Sequence, residues 1–153
     1  MKDSLLQLVF WFLVLLFGAG LEELLPKFLG VGFPVLLVVV QLAACGRMPL
    51  AETLVIAVAA GGVEDALSGL PMMTTVSYHV LVVLFVRGFG FPRAAAALTY
   101  PCYQLWLSLW AGGLGGGIFS RLLLSLPVGL LTGATVGIAV AWLGGKAAVD
   151  EQG

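Results

Sequence analysis

The sequence predicts an all-α membrane protein, built as a compact bundle of about six transmembrane helices. Of the 153 residues, 61% are apolar and only 10% are charged, which leaves few polar side chains for a water-facing surface. Nearly uncharged apolar runs recur along the chain, and each is about the 17 to 25 residues that a helix needs to cross a bilayer. The connections between these runs are short. We therefore expect a single membrane domain over residues 1–153.

The six predicted helices cover residues 4–20, 28–45, 50–68, 72–89, 94–114 and 118–143. Turn residues and charges separate them: Glu22, Glu23 and Pro26 after the first helix, Gly46, Arg47 and Pro49 after the second, and Gly88, Gly90 and Pro92 after the fourth. A second interpretation makes the first segment a cleavable signal peptide, because Lys2 precedes the apolar run and small residues follow it. The run is long for a signal peptide, and its loss would break the charge pattern described next.

The distribution of basic residues predicts the orientation, because cytoplasmic loops of membrane proteins carry an excess of Lys and Arg. With the N-terminus in the cytoplasm, the inner side would carry Lys2, Arg47, Arg87, Arg93 and Lys146, and the outer side Lys27 and Arg121. We therefore expect an inner-membrane protein with both termini in the cytoplasm.

Several classes of function find no support in the sequence. The net charge of -1 offers no basic field for nucleic acid. Cys45 and Cys102 lack the spacing of metal ligands, and the glycine-rich stretch 112–117 lacks the Lys and Ser or Thr of a phosphate-binding loop, so we interpret it as a turn. We expect no catalytic residue, no metal and no cofactor.

The last helix carries a stripe of small residues: Gly129, Gly133 and Gly137 recur every fourth position. Apolar side chains gain little by leaving lipid, so helices in membranes associate through small residues and polar contacts. Two interpretations stay open, namely packing against another helix of this chain and docking of a partner's helix.

A related seam in the third helix includes Gly61, Asp65 and Gly69. A carboxylate inside a membrane is costly, so it indicates a function and needs a polar partner. The candidate partners of Asp65 are Ser68, the backbone amides of 69–72, and the fourth-helix residues Thr75, Tyr78 and His79. If the helix instead ended near Gly62, Glu64 and Asp65 would be loop charges.

His79 is the only histidine. One interpretation is a neutral imidazole that is hydrogen-bonded inside the bundle, and the other is a pH-sensitive contact with Asp65.

The segment from Gly61 to Gly69, Gly-Gly-Val-Glu-Asp-Ala-Leu-Ser-Gly, resembles the signature of the MreD family of rod shape-determining membrane proteins. In that family a glycine-containing helix leads into Asp, two apolar residues and Ser-Gly, and the following helix ends in a basic residue. Gly61, Gly62, Asp65, Ser68 and Gly69 match the signature, and Arg87 matches the basic position. The chain differs from many relatives at residues 70–73, and Glu64 adds a second acid.

The resemblance implies a non-catalytic component of the bacterial elongation machinery. Family members bind the bitopic protein MreC and help to couple MreB filaments to the peptidoglycan polymerase RodA and its partner transpeptidase. Their fold is thought to resemble that of the vitamin-capturing S-component of a transporter. A protein with so little soluble mass would act through its helix surfaces, and Gly129, Gly133 and Gly137 would form a docking face for a partner's helix.

Two other functions remain open. The first is a small substrate-binding membrane subunit of a vitamin transporter, with a pocket lined by polar residues such as Glu64, Thr75, Tyr78 and His79. The second is an enzyme of lipid-linked wall precursors, which would need Glu64 and Asp65 to face a headgroup pocket.

Overall fold

A computed structural model describes residues 2–25, 27, 31–46, 48–89, 93–110 and 117–150. Within those residues the chain is all-helical, with six α-helices and no strand. In chain order they are α1 (Lys2–Leu24), α2 (Val35–Cys45), α3 (Leu50–Ser68), α4 (Thr74–Phe89), α5 (Arg93–Trp110) and α6 (Ile118–Asp150). The predicted turn residues Pro26, Arg47, Gly90 and Pro92, most of the glycine-rich turn at 112–117, and the predicted end of the fifth helix lie outside the described residues.

Helix α3 has the predicted bounds, and its ends have clear causes. Pro49 precedes the first helical residue, where its missing N–H costs no helical hydrogen bond. Gly69 follows the last one with φ 64°, the left-handed conformation that commonly ends a helix and that glycine adopts without strain. The alternative in which the helix ends near Gly62 is wrong, because helix continues through Ser68.

The bounds of α1, α2 and α4 differ from the predictions. Glu22 and Glu23 lie inside α1 and not in a loop. Helix α2 begins only at Val35, because Pro34 forms its boundary and residues 31–34 are not helical. Helix α4 begins at Thr74, after a turn in which Met73 has φ 76°. Beyond these three, α6 continues to Asp150, seven residues past its predicted end at 143.

Helix α2 is the centre of the bundle. It packs against α1, α3, α4 and α6, while α3 pairs most extensively with α4 and α5 with α6. Its residues from Leu36 to Gln41 are all buried, and the surrounding core includes Ile56 and Ala60 of α3 and Val83 of α4. The architecture is thus one central helix wrapped by its neighbours.

The outer surface of the bundle is apolar, and polar side chains are enclosed. Large apolar side chains are exposed on every helix except α2, for example Phe17 of α1, Leu84 of α4 and Ile138 of α6. Gln41, Thr53 and His79, by contrast, are fully buried. Soluble proteins seldom expose apolar patches of this extent, which mark membrane or protein contact.

Two helices meet the length and hydropathy requirements of a membrane span. These spans are Leu5–Leu24 of α1 and Ile118–Trp142 of α6. Helices α2 and α4 are apolar but shorter. Among the described residues, two helices are therefore compatible with a transmembrane position by length and composition.

Arg87 joins the C-terminal part of α4 to the turn between α2 and α3. Its Nη2 donates a hydrogen bond to the Met48 carbonyl oxygen at 2.6 Å and to Thr53 Oγ1 at 3.2 Å. The basic residue that matches the end of the family signature therefore fixes one end of the bundle.

Candidate functional site

The first part of the site is the joint between α3 and α4, where Gly61 permits a close approach of the two backbones. A Cβ atom added at Gly61 would lie 2.5 Å from Val76 N and 2.9 Å from the carbonyl carbon of Thr75. Both atoms belong to the α4 backbone, so no side-chain rotation can relieve the clash. The packing of α3 on α4 therefore requires glycine at this position.

Asp65 caps the N-terminus of α4 across this joint. Its Oδ1 accepts a hydrogen bond from the Thr75 backbone N–H at 2.9 Å and lies 2.7 Å from Thr75 Oγ1. The same hydroxyl is 2.6 Å from the Gly61 carbonyl oxygen, and its single proton serves one of these two acceptors at a time. A carboxylate at a helix N-terminus satisfies a free N–H and is favoured by the helix dipole. Asp65 is 4% exposed, and its role here is structural.

The five signature residues divide into two groups. Gly61, Asp65 and Gly69 build the joint, through the close approach, the cap and the left-handed turn. Gly62 is exposed with open space around it, and Ser68 is exposed at the end of α3, where it lines the cavity described below. Of the proposed partners of Asp65, the structure brings Thr75 to it, while Ser68, Tyr78 and His79 form no hydrogen bond with it.

Glu22 caps α2 in the way that Asp65 caps α4, a role that the sequence analysis missed. Its Oε2 accepts a hydrogen bond from the Leu36 backbone N–H at 2.9 Å. In both cases a carboxylate near the end of one helix binds the second residue of the next helix. The signal that could have revealed Glu22 is an acid shortly before the break at Pro34.

His79 is a buried, hydrogen-bonded imidazole, and the carboxylate nearest to its Nε2 is that of Glu64, not that of Asp65 as the second interpretation had it. Its Nδ1 lies 2.9 Å from the Thr75 carbonyl oxygen. Because a carbonyl oxygen can only accept a hydrogen bond, Nδ1 must be the donor and carries a hydrogen. Its Nε2 lies 3.6 Å from Glu64 Oε2, and the ring is fully buried. Tyr103 of α5 donates a hydrogen bond to the other oxygen, Glu64 Oε1. Glu64 therefore lies between α4 and α5.

Tyr78, which packs against Tyr103 as His79 does, belongs to a second hydrogen-bond network between α4 and α5. Its hydroxyl donates to the Thr99 carbonyl oxygen of α5, and Gln41 Nε2 of α2 donates to Thr99 Oγ1. These bonds hold three helices together in the core. Tyr78 is thus a structural residue in this arrangement.

A cavity of about 180 Å³ opens beside Glu64, at the ends of α1, α3 and α5, and we call it the acidic cavity. Two carboxylates face it, those of Glu22 and Glu64. Its lining consists of Glu22, Lys27, Gly32, Phe33, Pro34, Glu64, Ser68, Leu70, Tyr100, Tyr103, Gln104 and Leu107. Tyr100 is held in place because its hydroxyl accepts hydrogen bonds from Gly32 N at 3.1 Å and Gln104 Nε2 at 2.9 Å.

The small-residue stripe of α6 serves two surfaces. Gly129 and Gly133 face α5: a Cβ at Gly129 would lie 2.9 Å from Pro101 Cδ, and one at Gly133 would lie 2.9 Å from Ala97 N. Intramolecular packing therefore occupies this part of the stripe. Gly137 instead lines an apolar groove of about 490 Å³ beside α5, which we call the α6 groove; its other lining residues are Ala97, Leu130, Gly133, Ala134, Ile138 and Ala141.

Comparison of the chain with protein-family models, curated proteins and solved structures found no match. Among the described residues, no group of three or more His, Cys, Asp or Glu side chains has the arrangement of a metal site.

Proposed function

We propose that the chain crosses the bacterial cytoplasmic membrane six times, with both termini in the cytoplasm. The exposed apolar side chains on five of the six helices support this arrangement. Helix α2, with 11 residues, is about 16 Å long, and residues 31–34 can add up to about 13 Å, which together approach the roughly 30 Å of a hydrocarbon core. Non-helical backbone at such a depth is tolerated where protein covers it, and Tyr100 satisfies the Gly32 N–H.

We propose further that this protein is a non-catalytic component of the bacterial cell-elongation complex, of the MreD type. It would bind MreC and help to couple MreB filaments to RodA and its partner transpeptidase in the control of cell shape. The observation that supports this proposal best is that three residues of the signature-like segment shape the connection of α3 to α4: Gly61 by the close approach, Asp65 by the cap and Gly69 by the left-handed turn that ends α3. Such a joint makes α3 and α4 a rigid unit, which suits a scaffold in the membrane.

The α6 groove is the docking surface that we propose for the single transmembrane helix of MreC. Ala134 and Ala141 are exposed along it, and Gly137 lies between them in sequence. Small residues let two helix backbones approach closely in lipid. Gly133 is a poor probe of this surface, because a side chain there would first disturb Ala97 of α5.

Co-expression with tagged MreC tests this docking surface. Ala134→Phe would fill the groove. Thr135→Phe is the matched control, because Thr135 is the next residue, is also exposed, and points about 100° away around the helix, so it does not line the groove. At equal membrane levels we expect Ala134→Phe to lower the recovery of this chain with MreC about fivefold or more and Thr135→Phe to leave it unchanged. Equal recovery of both variants and the unaltered chain would contradict the docking site.

A second candidate function is the substrate-binding membrane subunit of a vitamin transporter. The acidic cavity favours it, because a small pocket with polar groups converging from several elements is typical of ligand sites. This function predicts co-purification with an ATPase and a coupling membrane subunit, which the elongation complex does not contain.

A further inference from the structure

We propose that the acidic cavity binds a small organic cation through an ammonium group. The cavity is formed by the ends of α1, α3 and α5 together with residues 32–34, so side chains from four separate segments converge on it. This inference does not depend on whether the chain binds MreC.

The charge of the cavity calls for a cation. Nδ1 of His79 carries a hydrogen, so in the neutral ring Nε2 presents a lone pair toward Glu64 Oε2, 3.6 Å away. A separation of 3.6 Å is too long for a hydrogen bond, so Glu64 Oε2 receives no hydrogen from His79. The carboxyl groups of Glu22 and Glu64 both face the cavity, and no Lys or Arg of the described residues lies within salt-bridge distance of either. A ligand with a positive charge would pair with them.

The hydrogen bonds made by Glu22, Glu64 and His79 leave some of their polar atoms without a partner. Glu22 binds Leu36 N through Oε2, and its Oε1 accepts no hydrogen bond from the described part of the chain. His79 is fully buried, and its Nε2 has no hydrogen-bond partner among the described residues while it points at Glu64. His79 does not line the cavity, so Glu22 Oε1 is the unpaired atom that a ligand there can reach.

The size and walls of the cavity define the ligand class. Its volume of about 180 Å³ is close to that of cavities of about 150 Å³ that hold benzene, so it suits a molecule of roughly six to ten non-hydrogen atoms. Tyr100 and Tyr103 lie side by side in the lining with ring centroids 6.2 Å apart. Aromatic rings beside carboxylates are the usual surroundings of an alkylated ammonium, which interacts with the ring faces.

Lys27 is the chain's own cation at the edge of the cavity, and it is engaged elsewhere. Its Nζ lies 3.1 Å from Glu23 Oε1, and its side chain is 47% exposed. Lys27 therefore forms its direct ion pair with Glu23, and neither Glu22 nor Glu64 has a direct ion pair with Lys or Arg among the described residues. A ligand's ammonium group could supply one.

Binding of choline to the full chain, purified in dodecylmaltoside and measured by isothermal titration calorimetry, tests the proposal. Choline carries a quaternary ammonium on seven non-hydrogen atoms, and 3,3-dimethylbutan-1-ol is its uncharged isostere. We expect saturable binding of choline and at least about tenfold weaker binding of the alcohol. Absence of choline binding, or equal binding of the two compounds, would overturn the proposal.

Paired variants locate the site. Glu22→Gln removes the charge and keeps an oxygen that can accept from Leu36 N, and we expect choline to bind about tenfold more weakly or not at all. Arg121→Gln is the control for the loss of one charge, because Arg121 is exposed on α6 and does not line the cavity. Should Glu22→Gln fail to fold, Ser68→Trp would block the cavity instead, because Ser68 is exposed and forms no hydrogen bond within the described residues. Equal affinity in these variants and the unaltered chain would refute this location.

A second arm distinguishes a free amine from a lipid headgroup, which share this chemistry. Choline binding is measured in nanodiscs of phosphatidylglycerol and again in nanodiscs of phosphatidylcholine. Equal affinity in both supports a soluble cation as the ligand, and loss of choline binding only in phosphatidylcholine supports occupation by the headgroup. If choline bound in detergent but in neither kind of nanodisc, the result would contradict a site that functions in a membrane.

Discussion

The two adjacent glycines of α3 should respond to alanine in opposite directions. At Gly61 an added Cβ would lie 2.5 Å from Val76 N, whereas ordinary van der Waals contact begins at 3.4 Å. To relieve this clash, α4 must move away from α3 by about 0.9 Å. That movement stretches the hydrogen bonds from Thr75 to Asp65, now 2.9 and 2.7 Å. At Gly62 an added Cβ meets nothing within 4 Å.

The expected energies follow from these distances. For Gly61→Ala, overpacking costs about 2 kcal/mol and two weakened hydrogen bonds about 1 kcal/mol each, while the higher helix propensity of alanine returns about 1 kcal/mol. The free energy of unfolding should therefore fall by about 3 kcal/mol. Gly62→Ala changes only the propensity and should raise the free energy of unfolding by up to about 1 kcal/mol.

Equilibrium unfolding in mixed micelles of dodecylmaltoside and increasing dodecyl sulfate measures this difference, and the chain's four tryptophans report it by fluorescence. Gly62→Ala is the control for glycine replacement in the same helix. If Gly61→Ala were as stable as the unaltered chain, or as stable as Gly62→Ala, the close approach of α3 and α4 would be refuted.

Two further predictions concern the links at opposite ends of the bundle. Asp65→Ala leaves the buried Thr75 N–H without its acceptor and should lower the free energy of unfolding by about 2 to 4 kcal/mol, whereas Glu23→Ala, which removes an exposed ion pair with Lys27, should change it by less than about 1 kcal/mol. If Asp65→Ala and Glu23→Ala had equal effects in the same micelle titration, the cap by Asp65 would be refuted. Arg87→Met removes the hydrogen bonds to Met48 O and Thr53 Oγ1 and should lower the free energy of unfolding by about 1 to 2 kcal/mol. An unchanged free energy of unfolding would mean that these hydrogen bonds of Arg87 do not stabilise the bundle.

The all-helical fold could be predicted from the sequence because composition and apolar runs depend on local properties. The bounds of α3 followed from Pro49 and Gly69, two residues whose backbone preferences act locally. The start of α2 was misplaced, because residues 31–34 are apolar like a helix and become non-helical only through Pro34. Apolarity alone does not distinguish a buried extended segment from a helix.

The candidate site was only partly predictable, because its contacts depend on the phase of neighbouring helices. The sequence identified Asp65 as a buried carboxylate that needs a partner, and Thr75 was among the candidates. It did not distinguish the directions of Glu64 and Asp65, which differ by about 100° around the helix, so the alternative of a carboxylate contact for His79 named Asp65, whereas Glu64 lies beside the ring. Glu22 was placed in a loop because a charge near an apolar run resembles a helix boundary.

The most direct test of the proposed function is purification of this chain, tagged at its C-terminus, from the membranes of the cell that makes it, with mass spectrometry of the proteins that accompany it. A component of the elongation complex should recover MreC together with RodA and its partner transpeptidase. Recovery of a paired ATPase and a coupling membrane subunit, without MreC, would contradict that function and favour the transporter.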